Sequence, residues 1–125
     1  MKVTIRPATT SDFEQLIGSP LPYRVRAFAV EEDGQLLGVG GFAYLPDGAI
    51  GAFIHQKPGA GRAHPVSIHK AGLRAMIEAR RLGFNRVVAM ADPGLDAAER
   101  WLKRLGFKET LVDGQKVYVW ERANG

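Results

Sequence analysis

The sequence predicts an α/β (α+β) fold whose elements follow the order β-α-β-β-β-α-β-α-β-β. Two Asp-Gly pairs, at 33–34 and 113–114, each separate two extended runs, which is a strong signal for a two-residue β-hairpin. Two other segments, 65–82 and 97–105, carry apolar residues at helical spacing. With 125 residues, of which 46% are apolar, the chain is sized for a single domain over 1–125.

The N-terminal elements are a short strand and a short helix. Residues 3–6 alternate apolar and polar side chains, as a half-buried strand does, and Pro7 ends the run. Ser11 and Glu14 fit a capping box with Ser11 as the N-cap residue. This pattern predicts a helix that ends at Gly18.

Three consecutive strands are predicted next. The runs 24–32 and 35–45 are rich in β-forming residues and flank the first Asp-Gly pair. A second turn, Pro46-Asp47-Gly48, leads into the predicted strand 49–56, which begins with the apolar run 49–54. Because each connection is short, we expect these strands to pair antiparallel with their neighbours.

The C-terminal half alternates helices and strands. Pro65 suits the first turn of the helix 65–82, where its missing N–H costs nothing. The run 87–91 is continuously apolar, as in a strand that is covered on both faces. Asp96 fits the N-cap of the helix 97–105. The last two strands are predicted over 108–112 and 115–121, on either side of the second Asp-Gly pair.

Composition excludes several classes of protein. The absence of cysteine excludes disulfides, thiolate metal sites and cysteine nucleophiles. No apolar run approaches the ~20 residues of a membrane span, and residues 1–10 lack the apolar core of a signal peptide. We therefore expect a cytoplasmic protein. We expect no metal, because no carboxylate spacing supports a site around the histidines.

One basic segment, 55–86, carries most of the functional information. It contains seven Lys and Arg residues, one acid and all three histidines of the chain. A strand followed by a basic loop and a helix is a common way for α/β proteins to bind a phosphorylated ligand. The segment suits an anionic cofactor or a nucleic acid, but it lacks the interleaved aromatic residues that stack on bases.

Four phrases in the right order resemble the GNAT family of N-acetyltransferases. They are VTIRPATTSDFEQLI (3–17), AVEEDGQLLGVGGF (29–42), AMIEARRLGFNRVVAM (75–90) and AAERWLKRLGFKE (97–109). The resemblance implies a mixed, mostly antiparallel sheet of six to seven strands flanked by about three helices. It also implies an acyl-CoA-dependent enzyme that moves an acetyl group from acetyl-CoA to a primary amine.

The resemblance also implies a cofactor site. In this family, pantetheine pairs with the strand before the long helix, and the pyrophosphate lies on a loop of the form Gln/Arg-x-x-Gly-x-Gly/Ala. Counted back from the end of the helix, this loop falls at 62–68, where Pro65 and Ser67 replace the glycines. A second glycine phrase, 59–62, is the alternative turn. The implied cofactor-binding residues are Phe53, Ile54, His55, Arg62, His64, Val66, Ser67, Ile68 and Lys70.

Three side chains are candidates for proton transfer. His55 lies near the end of the cofactor strand, and histidine changes its charge near neutral pH, which suits a general base. The tyrosine that many family members carry in the fourth helix is replaced by Leu102, which has no proton to donate. Tyr44 on the third strand and Tyr118 on the last strand could each donate a proton, and Tyr118 is the donor that we predict.

Three function classes remain open on this basis. The first is the N-acetyltransferase, whose amine acceptor is unknown. The segments that would wall the acceptor side in the family, 18–24 and the loop before the last strand, are short here, so an open site and a peptide or protein acceptor are favoured. The second is a catalytically inactive GNAT-fold binding or structural module, of the kind found in phage genomes. The third is a nucleic-acid binder. No membrane partner is expected, and an oligomer is compatible with the sequence.

Overall fold

The computed structural model describes residues 2–18, 24–89 and 98–122. In these ranges it contains seven strands and four helices. The strands are β1 Val3–Pro7, β2 Arg24–Glu32, β3 Gln35–Tyr44, β4 Ile50–Gln56, β5 Arg86–Ala89, β6 Lys108–Val112 and β7 Gln115–Glu121. The helices are α1 Thr10–Leu16, α2 Ala60–Ala63, α3 Pro65–Arg81 and α4 Ala98–Arg104. None of these helices is long and apolar enough to cross a membrane.

All seven strands form one mixed sheet in the order β1-β2-β3-β4-β5-β7-β6. β4 and β5 pair parallel, and every other neighbouring pair is antiparallel. The predicted fold class and order of elements are confirmed, with the one-turn helix α2 as an addition. A single turn is too short to show helical periodicity in a sequence. The predicted cap at Asp96 and the end of the predicted strand 87–91 lie outside the described residues.

The two Asp-Gly hairpins form as predicted. Asp33 and Gly34 have φ angles of 51° and 83°, and Asp113 and Gly114 have φ angles of 51° and 79°. Positive φ at both central residues is the geometry of a type I′ turn, whose twist matches that of the strands it joins. These local preferences set the pairing of β2 with β3 and of β6 with β7.

The prediction that Ser11 caps α1 is wrong. Thr9 is the N-cap residue, and Asp12 completes the capping box in place of Glu14. The reason lies in β1, where the Arg6 guanidinium donates two hydrogen bonds to the Asp12 carboxylate, at 2.8 and 2.9 Å. This contact with the sheet draws Asp12 inward and sets the start of the helix.

The helices cover both faces of the sheet. Neighbouring strand residues point to opposite faces, and Ala29 and Val30 of β2 accordingly belong to different core clusters. Ala29 packs in a cluster with Phe13 of α1, whereas Val30 packs in a cluster with Ile68 of α3 and Trp101 of α4. Therefore α1 lies on one face, and α3 and α4 lie together on the other.

Gly72 allows α3 and α4 to approach closely. A Cβ atom at this position would lie 2.8 Å from Trp101 Cζ2 and 3.1 Å from Leu105 Cδ1. Overpacking costs about 1–3 kcal/mol, and alanine recovers about 1 kcal/mol of helix propensity. The net effect is about 0–2 kcal/mol, and we expect Gly72→Ala to lower the free energy of unfolding by about 1 kcal/mol in urea denaturation. The exposed neighbour Arg74→Ala is the control, and an equally or more stable Gly72→Ala variant would contradict the expectation.

Candidate functional site

β4 and β5 diverge in the middle of the sheet. Among described residues they share one register pair, Gly51 with Val88. β4 continues to Gln56 and stays paired with β3 on its other side. Because backbone groups alternate in direction along a strand, every second residue of 52–56 turns its N–H and C=O toward the open side. The gap therefore offers hydrogen-bonding groups to an extended ligand.

A cavity of about 1190 Å³ opens from this gap and extends between the sheet and the helices α3 and α4. Its interior is mainly apolar, because the inner faces of the sheet and of both helices contribute to it. Apolar residues on its wall include Val30, Phe42, Ile54, Ile68, Met76, Leu102, Leu105 and Phe107. A pocket of this size and polarity suits an elongated organic ligand.

Four cationic side chains line the cavity. Lys57 precedes α2, Arg62 lies on α2, and Arg100 and Arg104 lie on α4. None of the four forms an ion pair with a described residue. The part of the wall that the structure describes contains no Asp or Glu. A concentration of one charge sign in a cleft of low dielectric attracts the opposite charge, so the cavity is suited to an anionic ligand.

The loop between β4 and α2 has two glycines on the cavity wall. Gly59 has a φ of +79°, a conformation that other residues rarely adopt. A Cβ atom at Gly61 would lie 2.9 Å from Gln56 Oε1. From Gln56 to Gly61 the sequence reads Gln-x-x-Gly-x-Gly, the spacing that the sequence analysis expected at 62–68. The two glycines leave the backbone open to a phosphate group.

The first turn of α3 faces an acidic side chain. Ser67 is buried, and its hydroxyl donates a hydrogen bond of 3.3 Å to Glu32 Oε2. The Nδ1 atom of His64, the N-cap residue of α3, contacts the same carboxylate oxygen. The Glu32 carboxylate thus offsets the partial positive charge of this helix end, and it would repel a phosphate placed there.

The structure brings some of the predicted cofactor-binding residues together and leaves others apart. Phe53, Ile54, His55, Arg62 and Ile68 line the cavity. His64, Val66, Ser67 and Lys70 are not on its wall, and the Val66 side chain is 52% exposed to solvent. Within the described ranges, no group of three His, Cys, Asp or Glu side chains is arranged to hold a metal ion.

His55 is the predicted catalytic residue that reaches the cavity. It lies on β4 opposite Val39 of β3, and its side chain is exposed. Its ring centroid is 6.1 Å from that of Phe53, which packs in the cluster on the α1 face of the sheet. The imidazole is therefore accessible to a ligand that approaches the gap from the α1 face.

Tyr118 lies in the core and is fully buried, at 0% exposure. Its hydroxyl has no hydrogen-bond partner of ordinary geometry among described residues. Burial, together with the nearby Glu99 carboxylate, raises the pKa of Tyr118 to about 12. Leu102, where the resemblance led us to look for a tyrosine, is 7% exposed and lines the cavity. The described cavity wall therefore lacks a tyrosine hydroxyl.

Three of the cavity cations are not among the predicted site residues. Lys57 was assigned to the basic segment without a role, and Arg100 and Arg104 received none. A signal for the α4 pair was present, because residues four apart in a helix lie on the same side. That side borders the apolar positions Trp101 and Leu105, which face α3.

The fold defined by these elements is the GNAT fold. An N-acetyltransferase from Staphylococcus aureus Mu50 superimposes with a TM-score of 0.70 at 17% identity, covering 97% of this chain and 99% of that chain. A Salmonella typhimurium structure with its cofactor acetyl-CoA has a TM-score of 0.68 at 17% identity, covering 97% and 94%. A Bacillus subtilis acetyltransferase in complex with CoA has a TM-score of 0.69 at 13% identity, covering 96% and 99%. No family model matches the sequence, and no curated protein sequence matches it.

Proposed function

We propose that this protein is an acyl-CoA-dependent N-acetyltransferase that moves the acetyl group of acetyl-CoA to a primary amine. The observation that carries this proposal is the divergence of β4 from β5 at Gly51 and Val88 into a cavity with cations on its wall. The pantetheine arm of CoA needs hydrogen-bond partners for its amide groups and apolar walls around its methylene groups. The phosphates of CoA need cations. Structural neighbours that hold CoA or acetyl-CoA support the proposal.

In this proposal, CoA follows β4 from the loop toward the apex of the gap. Pantetheine pairs with the open backbone groups near Phe53, Ile54 and His55. The diphosphate lies against the loop 57–62, where the glycines leave room and Arg62 supplies charge. Since Glu32 occupies the first turn of α3, we expect His64, Val66, Ser67 and Lys70 to contribute less than Arg62. These four residues are absent from the cavity wall.

The reaction requires one proton transfer from the amine and one stabilised oxyanion. The amine nitrogen attacks the thioester carbonyl carbon, the carbon–nitrogen bond forms, and the carbon–sulfur bond breaks with release of the thiolate. A β4 backbone N–H that faces the gap donates to the developing oxyanion. His55 accepts the proton that the amine loses. A thiol of pKa ~8.5 is a tolerable leaving group without a protein acid, so the absence of a tyrosine at Leu102 does not prevent the reaction.

Arg62→Ala tests the cofactor site. We expect this change to weaken CoA binding by about 1–3 kcal/mol, because a charge-assisted hydrogen bond to phosphate is lost. The effect should shrink as the salt concentration rises. Calorimetric titration with CoA measures both quantities.

Two further variants control this experiment. Arg86→Ala removes an exposed cation that is not on the cavity wall, and its affinity should equal that of the wild type. Lys70→Ala should reduce affinity less than Arg62→Ala does. A larger effect at Lys70 would move the diphosphate to the start of α3, and a wild-type protein that binds no CoA would refute the proposal.

A catalytically inactive CoA-binding module is the second candidate. It is favoured by Leu102 at the position of the family's tyrosine and by the burial of Tyr118 away from the cavity. Thiol release from acetyl-CoA in the presence of amino acids, polyamines and peptides separates the two candidates. CoA binding without transfer to any amine would support the inactive module.

A further inference from the structure

The closed end of the gap between β4 and β5 carries a small niche. Gly51, the residue of β4 that pairs with Val88 at this end, has no side chain. A Cβ atom at Gly51 would lie 3.4 Å from Leu45 Cδ1, 3.8 Å from Leu45 Cγ and 4.0 Å from Leu45 Cδ2. Gly51 and Leu45 both line the cavity. The space over Gly51 therefore admits one carbon atom with the size of a methyl group, and the Leu45 side chain closes it.

The niche opens on the α1 face of the sheet. Side chains alternate between the two faces along a strand. Ala52 packs against the cluster that α3 and α4 cover, whereas Phe53 packs in the cluster on the α1 face. Gly51 therefore faces the α1 side together with Phe53 and His55. The niche thus lies on the face from which the imidazole of His55 is accessible.

The length of CoA brings its acyl group to this niche. The loop 57–62 directly follows β4, and in the proposed function it holds the diphosphate. The chain from the diphosphate to the sulfur of CoA is about as long as four residues of extended peptide, roughly 13 Å. Counted back along β4 from Lys57, this length ends at Phe53. The acyl group is attached beyond the sulfur, so it lies near Ala52 and Gly51.

We propose that Gly51 and Leu45 form the acyl-group site of this protein and make it select acetyl-CoA over donors with longer acyl chains. This inference rests on the proposed function. The methyl group of acetyl-CoA fits the space over Gly51, where contact with the Leu45 side chain stabilises it. The additional methylene groups of butanoyl-CoA meet the same side chain, and overpacking destabilises the bound ligand.

The test is a calorimetric comparison of CoA, acetyl-CoA and butanoyl-CoA in the absence of an amine. We expect the wild type to bind acetyl-CoA about 10-fold tighter than butanoyl-CoA, because overpacking opposes the longer chain. In Leu45→Ala, the ratio of these two affinities should fall close to one. Gly51→Ala places a methyl group in the niche, so it should weaken acetyl-CoA relative to CoA by about 10-fold. CoA carries no acyl group and is the internal reference for each variant.

Asp47→Ala is the matched control. Asp47 lies in the same loop as Leu45, is exposed and is not on the cavity wall, so this variant should keep the wild-type ratio. A loss of the ratio in Asp47→Ala as large as in Leu45→Ala would overturn the assignment. Equal weakening of CoA and acetyl-CoA in Gly51→Ala would also overturn it.

The outcomes separate this inference from the proposed function. If the wild type binds acetyl-CoA and butanoyl-CoA equally, or if Leu45→Ala keeps the wild-type ratio, the acyl-group site is refuted while CoA binding stands. If none of the three ligands binds, the proposed function falls and the acyl-group site falls with it.

Discussion

Replacing His55 with alanine is expected to lower kcat/KM for acetyl transfer by about 100-fold or more, because general-base catalysis contributes at least that much. His55 is exposed on β4 and lines the cavity at the open side of the strand. The amine must lose a proton as it attacks the thioester, and a neutral imidazole can accept it directly or through water. The measurement is a steady-state rate with any accepted amine.

A pH profile distinguishes this role from a structural one. In the wild type, kcat/KM should fall at acidic pH, as it does for a reaction that needs a general base. His55→Ala should lose this acidic limb, whereas its affinity for CoA should stay close to that of the wild type. His55→Gln, which keeps a polar side chain without a base, should behave as the alanine variant does. An unchanged pH profile in both variants would exclude His55 as the base.

Asp12→Ala is expected to have the largest effect on stability, lowering the free energy of unfolding by about 3 kcal/mol. Asp12 is 3% exposed, and its carboxylate accepts hydrogen bonds from Arg6 and from the backbone N–H of Thr9, the latter at 2.7 Å. The change leaves Arg6 with Glu31 as its remaining acidic partner, and it breaks the capping box of α1. Urea denaturation measures the loss, and the exposed Glu14→Ala on the same helix should change little.

The same contact predicts an acid-sensitive fold. Hydrogen bonds from Arg6 lower the pKa of Asp12 from 3.8 to about 2, against the opposing effect of burial and with help from Thr9. Because the folded-state pKa is depressed, the stabilisation is present above about pH 4 and is lost as pH falls toward about 2. The difference corresponds to about 2.5 kcal/mol.

Asp12→Asn isolates this contribution. Its carboxamide cannot ionise, so the decrease in stability between about pH 4 and pH 2 should be smaller in this variant than in the wild type. If the two proteins lose equal stability over this range, another carboxylate causes the acid sensitivity. Glu78 is then the next candidate, because hydrogen bonds from Arg81 lower its pKa.

Local patterns in the sequence were sufficient to predict the order of elements and the two hairpins. Positive φ at Asp33, Gly34, Asp113 and Gly114 follows from the residues themselves, because Asp and Gly adopt the left-handed region more readily than most residues do. The bounds of β2, β6 and β7 agree with the prediction, and each of these strands begins or ends next to such a turn.

Contacts between segments that are distant in sequence determined the helix starts and the cavity wall. The start of α1 depends on Arg6 in β1, and the first turn of α3 depends on Glu32, which is 35 residues from Ser67. The assignment of Arg100 and Arg104 to the cavity depends on how α4 packs against α3 at Gly72. Sequence alone thus determined this protein's local conformations and its basic segment, because these depend on neighbouring residues. Only the tertiary structure decided which charges meet and which face the cavity, because charge interactions depend on distance in space.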